Sequence, residues 1–446
     1  MKELFNDFDK VSLPEWLTKI EQDLKGKPLS VLHSTPEPDL EIKAYSHAEQ
    51  LLEEHPDFDS HRTINKATNT WGIRKEISPD KHDNQIVLNA LNEGITSLGI
   101  SYLDAQSFEK LTKDVQFKYI DSDISFTSVE QAINAEIPKE SKLNFDILAL
   151  NAASGAQKFD MSDFLDFFKA KSAYNNIWVS GDIYGNAGSS SSQELGYTVA
   201  HLNEYFHALE GAGVNLIEVL DKITISLSVG EDYFVNIAKF RAIHVLIKSL
   251  LKGYGIENES FSPTIFAKTS VRYLAKNDKN NNPLRQTSQA MSAVIGGCNQ
   301  LTITVPEFGT PAEITRFERV AKNIQLILKE EAYLGLVVDP SGGSYYIESL
   351  TEQIINKAWT YFLAIEKVGG FESALKTNHI QNEISANRNR LISDLNANSR
   401  TFLGVNKHPN SMENWIELTV PNQPDSTDFT PVSPFYLENY FTKKQH

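Results

Sequence analysis

The segment Ser180–Tyr197 has the composition of an active-site loop. Its sequence, SGDIYGNAGSSSSQELGY, follows a short apolar run and combines glycines with a row of serines before a helical pattern begins. Glycines let a backbone approach a ligand closely, and loops placed by a rigid scaffold often carry catalytic groups. Yet the segment has no His, Arg, Lys or Cys, and its only charged residues are Asp182 and Glu194. We therefore expect the form of a catalytic loop without its reactive groups.

Other residues of chemical interest favour structural roles. The segment DPSGGSYY, residues 339–346, could hold a phosphate on backbone N–H groups. Because no Lys follows it, we favour a turn in which Gly342 and Gly343 adopt positive φ. His201 and His207 lie six residues apart, a spacing that does not favour a shared metal on one helix. The sequence therefore predicts no metal site.

Composition and charge exclude several classes of protein. The chain has 446 residues and a net charge of −16, from 58 acidic and 42 basic residues. Nucleic acids and anionic membranes attract basic surfaces, so neither is an expected partner. The single cysteine, Cys298, excludes an internal disulfide and fits a reducing compartment. The start, MKELFNDFDK, does not resemble a signal peptide, and no apolar run approaches the ~20 residues of a membrane span. We expect a cytoplasmic protein.

From Trp71 onward, short β-type runs alternate with helical patterns. The predicted strands are Trp71–Ile77, Ser97–Leu103, Val115–Ile120, Phe145–Leu150, Asn176–Ser180, Lys222–Val229, Pro263–Lys268 and Gln300–Val305. The clearest helical patterns between and after them are Glu194–Leu209, Glu231–Lys252, Pro283–Ile295 and Pro311–Glu331. Eight such units predict an α/β fold, a parallel (β/α)8 TIM barrel. A doubly wound open sheet is the alternative, but no phosphate-binding glycine fingerprint follows the first strand.

The barrel is predicted to lie between flanking segments. Residues 1–65 form an N-terminal arm with a short helix over Leu13–Leu24, and residues 66–335 form the barrel. Residues 336–403 form a C-terminal helical extension, with helices over Thr351–Glu366 and around Phe371–Leu395. Residues 404–446 form a tail rich in Pro, Asn and aromatics. The arm and the tail are the segments expected to embrace a partner.

Alternation along the strands predicts an unusual barrel interior. One face of each strand is apolar and suits packing against helices, while the other carries small polar residues: Gly99, Ser101, Thr224, Ser226, Ser228, Gln300, Thr302 and Thr304. Barrel interiors normally hold Val, Ile and Leu. Small polar residues there suggest an axis built to admit a slender polar ligand. A wet but empty centre, or reversed faces, are the alternatives. By the same alternation Trp178 and Phe266 point inward, where two rings would obstruct a channel.

Several stretches together resemble the methylmalonyl-CoA mutase family. They are QTSQAMSAVIGGCNQLTI, RVAKNIQLILKEEAYLGLVVDPSGGSYYIESLT and FLGVNK, with SGDIYGNAGSSSSQELGYTVAHLNEYFHAL and TNTWGIRKEI in the same order. The resemblance runs from near Trp16 to near Asn406. It implies a barrel that threads coenzyme A along its axis. It also implies an adenosylcobalamin at one end, whose radical isomerises methylmalonyl-CoA and succinyl-CoA.

The departures from the family pattern fall on the groups that act on the substrate. Where active relatives have His, Tyr, Arg, Gln and Arg, this chain has Phe266, Glu76, His207, Gly185 and Asn69, respectively. In the family those groups polarise the thioester, bind the substrate carboxylate and hold the coenzyme A phosphates. Phe266 and Gly185 have no side-chain hydrogen-bond donor, and Glu76 would repel a dianion. The resemblance thus implies that this chain has no catalytic, cofactor-binding or metal-ligating residue.

Three polar residues of the family pattern are retained, namely Arg74, Arg285 and Gln325. The cobalamin-binding domain of single-chain relatives is marked by Asp-x-His-x-x-Gly, whose His ligates cobalt. The only similar triplet here is Asp80–His82, and Gln85 stands where the Gly belongs. We interpret that triplet as a chance match in a charged turn. No cobalamin-binding domain is therefore expected within this sequence.

The family includes heterodimers in which a small, beta subunit is related to the catalytic subunit but inactive, and this chain resembles that type. The resemblance implies a heterodimer with a large, alpha subunit that holds the adenosylcobalamin, in an isomerase of propionate metabolism. Two alternatives remain open. The chain could be a catalytic acyl-CoA mutase subunit that uses a separate cobalamin-binding protein, or a free-standing barrel that acts as a binding module.

Overall fold

The computed structural model describes residues 11–38, 40–43, 45–47, 49, 64, 66–258, 261–410, 416 and 427–442. Its strands are β1 (Gly72–Ile77), β2 (Ser97–Ser101), β3 (Asp121–Ser125), β4 (Lys142–Asn144), β5 (Ile177–Ser180), β6 (Ile223–Val229), β7 (Thr264–Thr269) and β8 (Gln300–Thr302). One or two helices follow each strand, as the alternating sequence pattern predicts.

Helix α1 (Leu13–Asp23) precedes the barrel. The barrel helices are α2 (Asn84–Asn92), α3 (Ala105–Leu111), α4 (Val129–Asn134), α5 (Ile147–Ser154), α6 (Met161–Ala170), α7 (Asp182–Ala187), α8 (Ser191–Gly211), α9 (Tyr233–Gly253), α10 (Asn282–Ile295) and α11 (Pro311–Leu326). A π-helical turn, Ile327–Glu331, extends α11. The C-terminal helices are α12 (Tyr345–Lys367), α13 (Phe371–Lys376) and α14 (His379–Asn396).

All eight strands are parallel neighbours in one sheet, in the order β4-β3-β2-β1-β8-β7-β6-β5. The two end strands meet, because the Leu143 N–H donates to the carbonyl of Asn175, just before β5, over 2.8 Å. The sheet is therefore a nearly closed barrel with helices outside it. The predicted (β/α)8 TIM barrel is confirmed, and the open sheet is excluded.

Two predicted strands were placed wrongly. The run Val115–Ile120 instead leads into a short 3₁₀ turn, Phe117–Tyr119, and β3 begins directly after it. The run Phe145–Leu150 instead begins α5, and β4 lies just before it. Asp146 explains the second error, because its carboxylate accepts the Ala149 N–H over 3.1 Å and caps the helix.

The glycine- and serine-rich segment is mostly helical rather than an open loop. It forms α7 and then turns at Gly188, whose φ of 110° suits a residue without Cβ. The serine row starts α8 three residues earlier than predicted. Ser190 is its N-cap: the Ser190 hydroxyl accepts the Gln193 N–H over 3.2 Å, and the Gln193 amide oxygen accepts the Ser190 N–H over 2.9 Å. The serines therefore have a capping role.

The core lies between the outer faces of the strands and the helices. The outward side chains of β6, Ile223, Ile225, Leu227 and Val229, are all buried in it. Helix α12 packs across both α8 and α9. It packs tightly on α8 at Gly196, where a Cβ would lie 2.6 Å from the Cβ of Tyr361 and 2.7 Å from the carbonyl oxygen of Ala358.

Part of the predicted N-terminal arm packs on the chain itself. Helix α1 forms as predicted, with the Glu15 carboxylate accepting the Ser12 N–H over 2.8 Å, and none of its residues is buried. Leu40, by contrast, is fully buried in the core. Residues 1–10 of the arm and 411–415 of the tail are among those outside the described ranges. The predicted domain boundaries and the embracing role stay predictions.

Gly196→Ala should lower the free energy of unfolding by about 1–3 kcal/mol, because its Cβ would meet a backbone carbonyl of α12 that cannot withdraw. Gly211→Ala, at the other end of α8, is the matched control. No atom lies within 4 Å of its new Cβ, so the stability should not fall. Urea unfolding of both variants measures the difference. Equal stabilities would contradict the close packing of α12 on α8.

Candidate functional site

Contacts across the barrel axis define its interior, called here the bore. Arg74 of β1 contacts Asp123 of β3 and Phe266 of β7, and Phe266 contacts Trp178 of β5. Each of these contacts skips the strand in between, which is possible only across the inside of the barrel. The prediction that Trp178 and Phe266 point inward is confirmed.

The hydroxyl-bearing faces also point into the bore. Thr224 is the register partner of Trp178, and Ser226 is the register partner of Phe266, so their side chains share the inward face. The alternative of reversed faces is excluded. The interior is nevertheless not empty, since charged residues of β1 and β3 fill the part that lies opposite these hydroxyls.

An arginine is buried at the centre of the bore. The side chain of Arg74 is 3% exposed and forms a two-pronged pair with Asp123, in which Nη1 meets Oδ1 and Nη2 lies 3.0 Å from Oδ2. Its Nε also donates to Glu76 over 3.1 Å. Gly99 of β2 makes room for it, because a Cβ there would overlap the guanidinium. A buried charge requires such partners, so the three polar side chains form one unit.

Two aromatic rings complete the obstruction. The Phe266 ring centroid lies 4.5 Å from the Arg74 guanidinium carbon, a cation–π contact. The Trp178 ring meets Phe266 edge to face, with 6.1 Å between centroids. Both rings are only 4% exposed. The middle of the bore is therefore occupied by side chains rather than by a polar channel.

Above this layer lies the carboxyl end of the barrel. Glu76 lies there with 46% of its side chain exposed, and its carboxylate accepts the Thr302 hydroxyl over 3.3 Å. Partial loss of solvation raises the pKa of Glu76. The positive charges of Arg74 and Lys268 outweigh this effect and lower the pKa below its usual value. Glu76 is thus a carboxylate held by cations of its own chain.

The only two charges of the glycine- and serine-rich segment bind strand β6. Asp182 accepts the Ser226 hydroxyl over 2.5 Å, and Glu194 accepts the N–H and the hydroxyl of Ser228 over 2.6 and 2.8 Å. Lys239 of α9 neutralises Glu194 over 2.9 Å and donates to the Ser228 carbonyl over 2.6 Å. These residues consolidate the barrel wall, and neither carboxylate is left free to act on a substrate.

The glycine that replaces the family's glutamine has no room for a larger residue. A Cβ on Gly185 would overlap the Ser228 hydroxyl and would lie 2.5 Å from a Glu194 carboxylate oxygen. The space of the missing amide is therefore taken by the Glu194–Ser228 pair. Sequence reasoning missed Lys239, although Lys239 and Arg241 within the apolar pattern of α9 were a usable signal of buried partners.

Two other departures lie away from the bore. His207 is exposed on the outer side of α8. His201, earlier on the same helix, is buried and bonds Asp146 over 2.9 Å, so the two histidines do not face one site. Asn69 lies just before β1, where its amide donates to the carbonyls of Val294 and Leu334 over 3.1 and 3.2 Å. Of the five positions where this chain departs from the family pattern, only Phe266 and Glu76 lie next to Arg74.

The other two retained polar residues have structural partners. Arg285 donates to Asn282 over 2.8 Å, and its guanidinium lies 4.7 Å from the centre of the Phe402 ring. Gln325 accepts the Trp71 indole N–H over 3.2 Å. Their presence therefore does not require a ligand.

A carboxylate of the chain itself binds the turn at residues 339–346. The Glu348 carboxylate accepts the Gly343 N–H over 2.9 Å and pairs with buried Arg241 over 2.6 Å, and Arg241 also pairs with Asp339. This supports the turn interpretation over a phosphate site. Positive φ occurs at Gly343 (82°) and Asp339 (46°), not at Gly342 as predicted. Asp339 tolerates this conformation because aspartate is among the residues that adopt it.

The Asp-x-His triplet is part of a surface turn. The His82 ring accepts the Ser78 N–H over 3.1 Å, and its other nitrogen lies 3.5 Å from Glu318. The hydrogen bond between His82 and Glu318 is the main reason why the pKa of Glu318 is about 2. No three His, Cys, Asp or Glu side chains cluster as a metal site in the described part of the chain. Cys298 is buried, which raises its thiol pKa to about 12.

Comparison with known proteins agrees with the fold and the quoted stretches. A family model described as methylmalonyl-CoA mutase matches residues 154–428. The chain belongs to the methylmalonyl-CoA mutase family. It is 29% identical to the methylmalonyl-CoA mutase small subunit of Porphyromonas gingivalis, over 92% of this chain and 72% of that protein.

Other relatives in the family are matched over a smaller share of their length. The small subunit of Propionibacterium freudenreichii subsp. shermanii is 28% identical over 71% of this chain and 53% of its own. The large subunit of Porphyromonas gingivalis is 29% identical over 58% of this chain and 37% of its own. The family thus contains proteins named as small and as large subunits. In the described ranges, no helix combines the length and apolar character that crossing a membrane requires.

Arg74→Met should lower the free energy of unfolding by about 3–5 kcal/mol, because it leaves Asp123 buried without its cation. Lys81→Met is the control. Its exposed pair with Glu307 should contribute less than about 1 kcal/mol. Urea unfolding at neutral pH compares the two variants. A loss for Arg74→Met no larger than that of the control would show that the bore does not depend on this ion pair.

Proposed function

We propose that this chain is the non-catalytic small subunit of a methylmalonyl-CoA mutase. In this role it pairs with a large subunit that isomerises methylmalonyl-CoA and succinyl-CoA, and it stabilises that partner. The observation that carries the proposal is the filled bore, in which Arg74, Asp123, Phe266 and Trp178 occupy the path that a coenzyme A thioester would take.

The chemistry of the bore supports an inactive chain. Phe266 offers no hydrogen bond to a thioester carbonyl, and Arg74 is fully engaged by carboxylates of its own chain. Glu76 at the carboxyl end of the barrel is ionised and would repel a substrate carboxylate. An acyl group could enter only if the ion pair between Arg74 and Asp123 separated. That separation would leave a buried charge without its partner. We infer that no residue of this chain is catalytic.

The residues at the bore do not fit the reaction that adenosylcobalamin supports, which is formation of a radical next to a bound acyl-CoA. The family's substrate-binding side chains are replaced at Phe266 and at Gly185, and the latter position is closed by Glu194 and Ser228. We therefore propose that the large subunit holds the cofactor. No step of the reaction is assigned to this chain.

The surface of the N-terminal arm supports a partner-binding role. Helix α1 has no buried residue, and apolar side chains in and near it are exposed, including Trp16 at 37%, Val11 at 60% and Val31 at 52%. Exposed apolar side chains grouped on one segment are typical of a surface that a second protein covers. We propose that the large subunit covers this part of the arm.

The purified chain should show no mutase turnover when adenosylcobalamin and methylmalonyl-CoA are added, because it lacks the acyl-binding groups. Co-expression with a large subunit from the same genome should give a 1:1 complex that is active. The measurements are succinyl-CoA formation and the mass of the complex by light scattering. Deleting residues 11–32, the arm up to the end of its exposed apolar side chains, should weaken the complex without unfolding the barrel.

Two outcomes would contradict this assignment. Turnover by the chain together with a separate cobalamin-binding protein would make it a catalytic subunit. A stable monomer that forms no complex with any large subunit would make it a free-standing binding module. The Lys81→Met variant serves as the control for both assays, since its change lies on an exposed turn.

A further inference from the structure

The N-terminus of helix α8 binds a carboxylate from the N-terminal arm, that of Glu37. Both Glu37 oxygens bond one residue, since Oε2 accepts the Ser191 N–H over 2.8 Å and Oε1 accepts the Ser191 hydroxyl over 2.9 Å. Helix α8 has 21 residues, and the free N–H groups and dipole at its start favour an anion. Glu37 is thus bound there as a ligand would be.

The surroundings of this carboxylate contain further donors that have no partner. Arg272 is 5% exposed, and its Nη1 donates to the Ser189 carbonyl over 3.0 Å while its Nε has no protein partner among the described residues. The hydroxyls of Ser189 and Ser192 are also buried without a partner there. Burial raises the pKa of Glu37 above its usual value and the charge of Glu231 adds to this, while the Ser191 hydrogen bonds and the Arg272 charge offset only part of the rise. The site is therefore preformed and only partly used.

Glu37 fixes a whole segment over the carboxyl end of the barrel. One residue before it, the Pro36 carbonyl accepts Arg400 Nη2 over 3.1 Å, so the segment also contacts the C-terminal extension. Further on, Leu40 is fully buried, and the Glu41 N–H donates to Gln353 of α12 over 3.1 Å. Of the described side chains of residues 34–40, that of Glu37 is the only charged one.

We propose that the start of α8, with Ser191 and Arg272, is a binding site for a small carboxylate, and that Glu37 is its tethered occupant. A free carboxylate and Glu37 then compete for the same donors, and in the wild type Glu37 keeps them because it belongs to the same chain. The two donors on one residue match the two oxygens of a planar carboxylate. The neighbouring Glu231, which pairs with Arg272 over 3.2 Å, disfavours a dianion such as phosphate. This inference is independent of the subunit assignment.

Limited proteolysis tests whether Glu37 fastens the segment. Trypsin cleavage after Lys43, followed by mass spectrometry, should become about tenfold or more faster in Glu37→Ala, because hydrogen bonds to a charged group are lost. Glu41→Ala is the matched control. It removes only a surface pair with His33, so its cleavage rate should stay within about twofold of the wild type. An unchanged rate in Glu37→Ala would overturn the proposal.

Thermal unfolding tests whether the vacated donors bind a carboxylate. Sodium acetate should raise the Tm of Glu37→Ala with the logarithm of its concentration, at ionic strength held constant with sodium chloride. The wild type and Glu41→Ala should show no such rise, because Glu37 occupies their site. No acetate-dependent rise in Glu37→Ala, or a rise with phosphate alone, would overturn the carboxylate assignment. If Glu37→Ala does not fold, Glu37→Ser carries both tests, since its short side chain also leaves the Ser191 donors vacant.

Discussion

A full positive charge lies at the centre of this barrel, and the rest of the interior depends on it. The Arg74 guanidinium is out of reach of bulk water, so Asp123 and Glu76 must face it, Phe266 can lie against it, and Gly99 must lack a side chain. Removing Arg74 or Asp123 would leave the other charge buried without its partner. A barrel whose hydroxyl-bearing strands would admit a slender ligand is thereby closed at mid-height, and this closure is the basis of the proposed non-catalytic role.

The same principle governs the residues that looked reactive. Asp182 and Glu194 satisfy the inward serines of β6, Lys239 neutralises Glu194, and Glu348 fills a turn with the form of a phosphate site. These polar groups, of the kind that a catalyst would present to a substrate, are instead paired within the chain. Such pairs add specificity to the fold because a half-satisfied network would be costly. The sequence therefore keeps the appearance of an active site while its polar groups are used for stability.

Period-two and period-3.6 patterns predicted six of the eight strands, the long helices and the inward hydroxyls, because these depend on burial along one element. β3 was missed because its sequence, DSDIS, has low strand propensity and the apolar run VQFKYI stands beside it. That error hid Asp123, and with it the ion pair of Arg74. Glu37 on Ser191 and Arg272 beside Ser189 join residues far apart in the chain, so no local pattern could indicate them.

The central claim is that the bore cannot hold an acyl-CoA, and calorimetric titration of the isolated chain with succinyl-CoA tests it most directly. The filled bore predicts no saturable heat for succinyl-CoA beyond the heat given by free coenzyme A. Saturable 1:1 binding of succinyl-CoA that free coenzyme A does not reproduce would mean that the acyl group reaches the barrel axis. In that case Arg74, Phe266 and Trp178 would not form a fixed obstruction, and the non-catalytic assignment would fail.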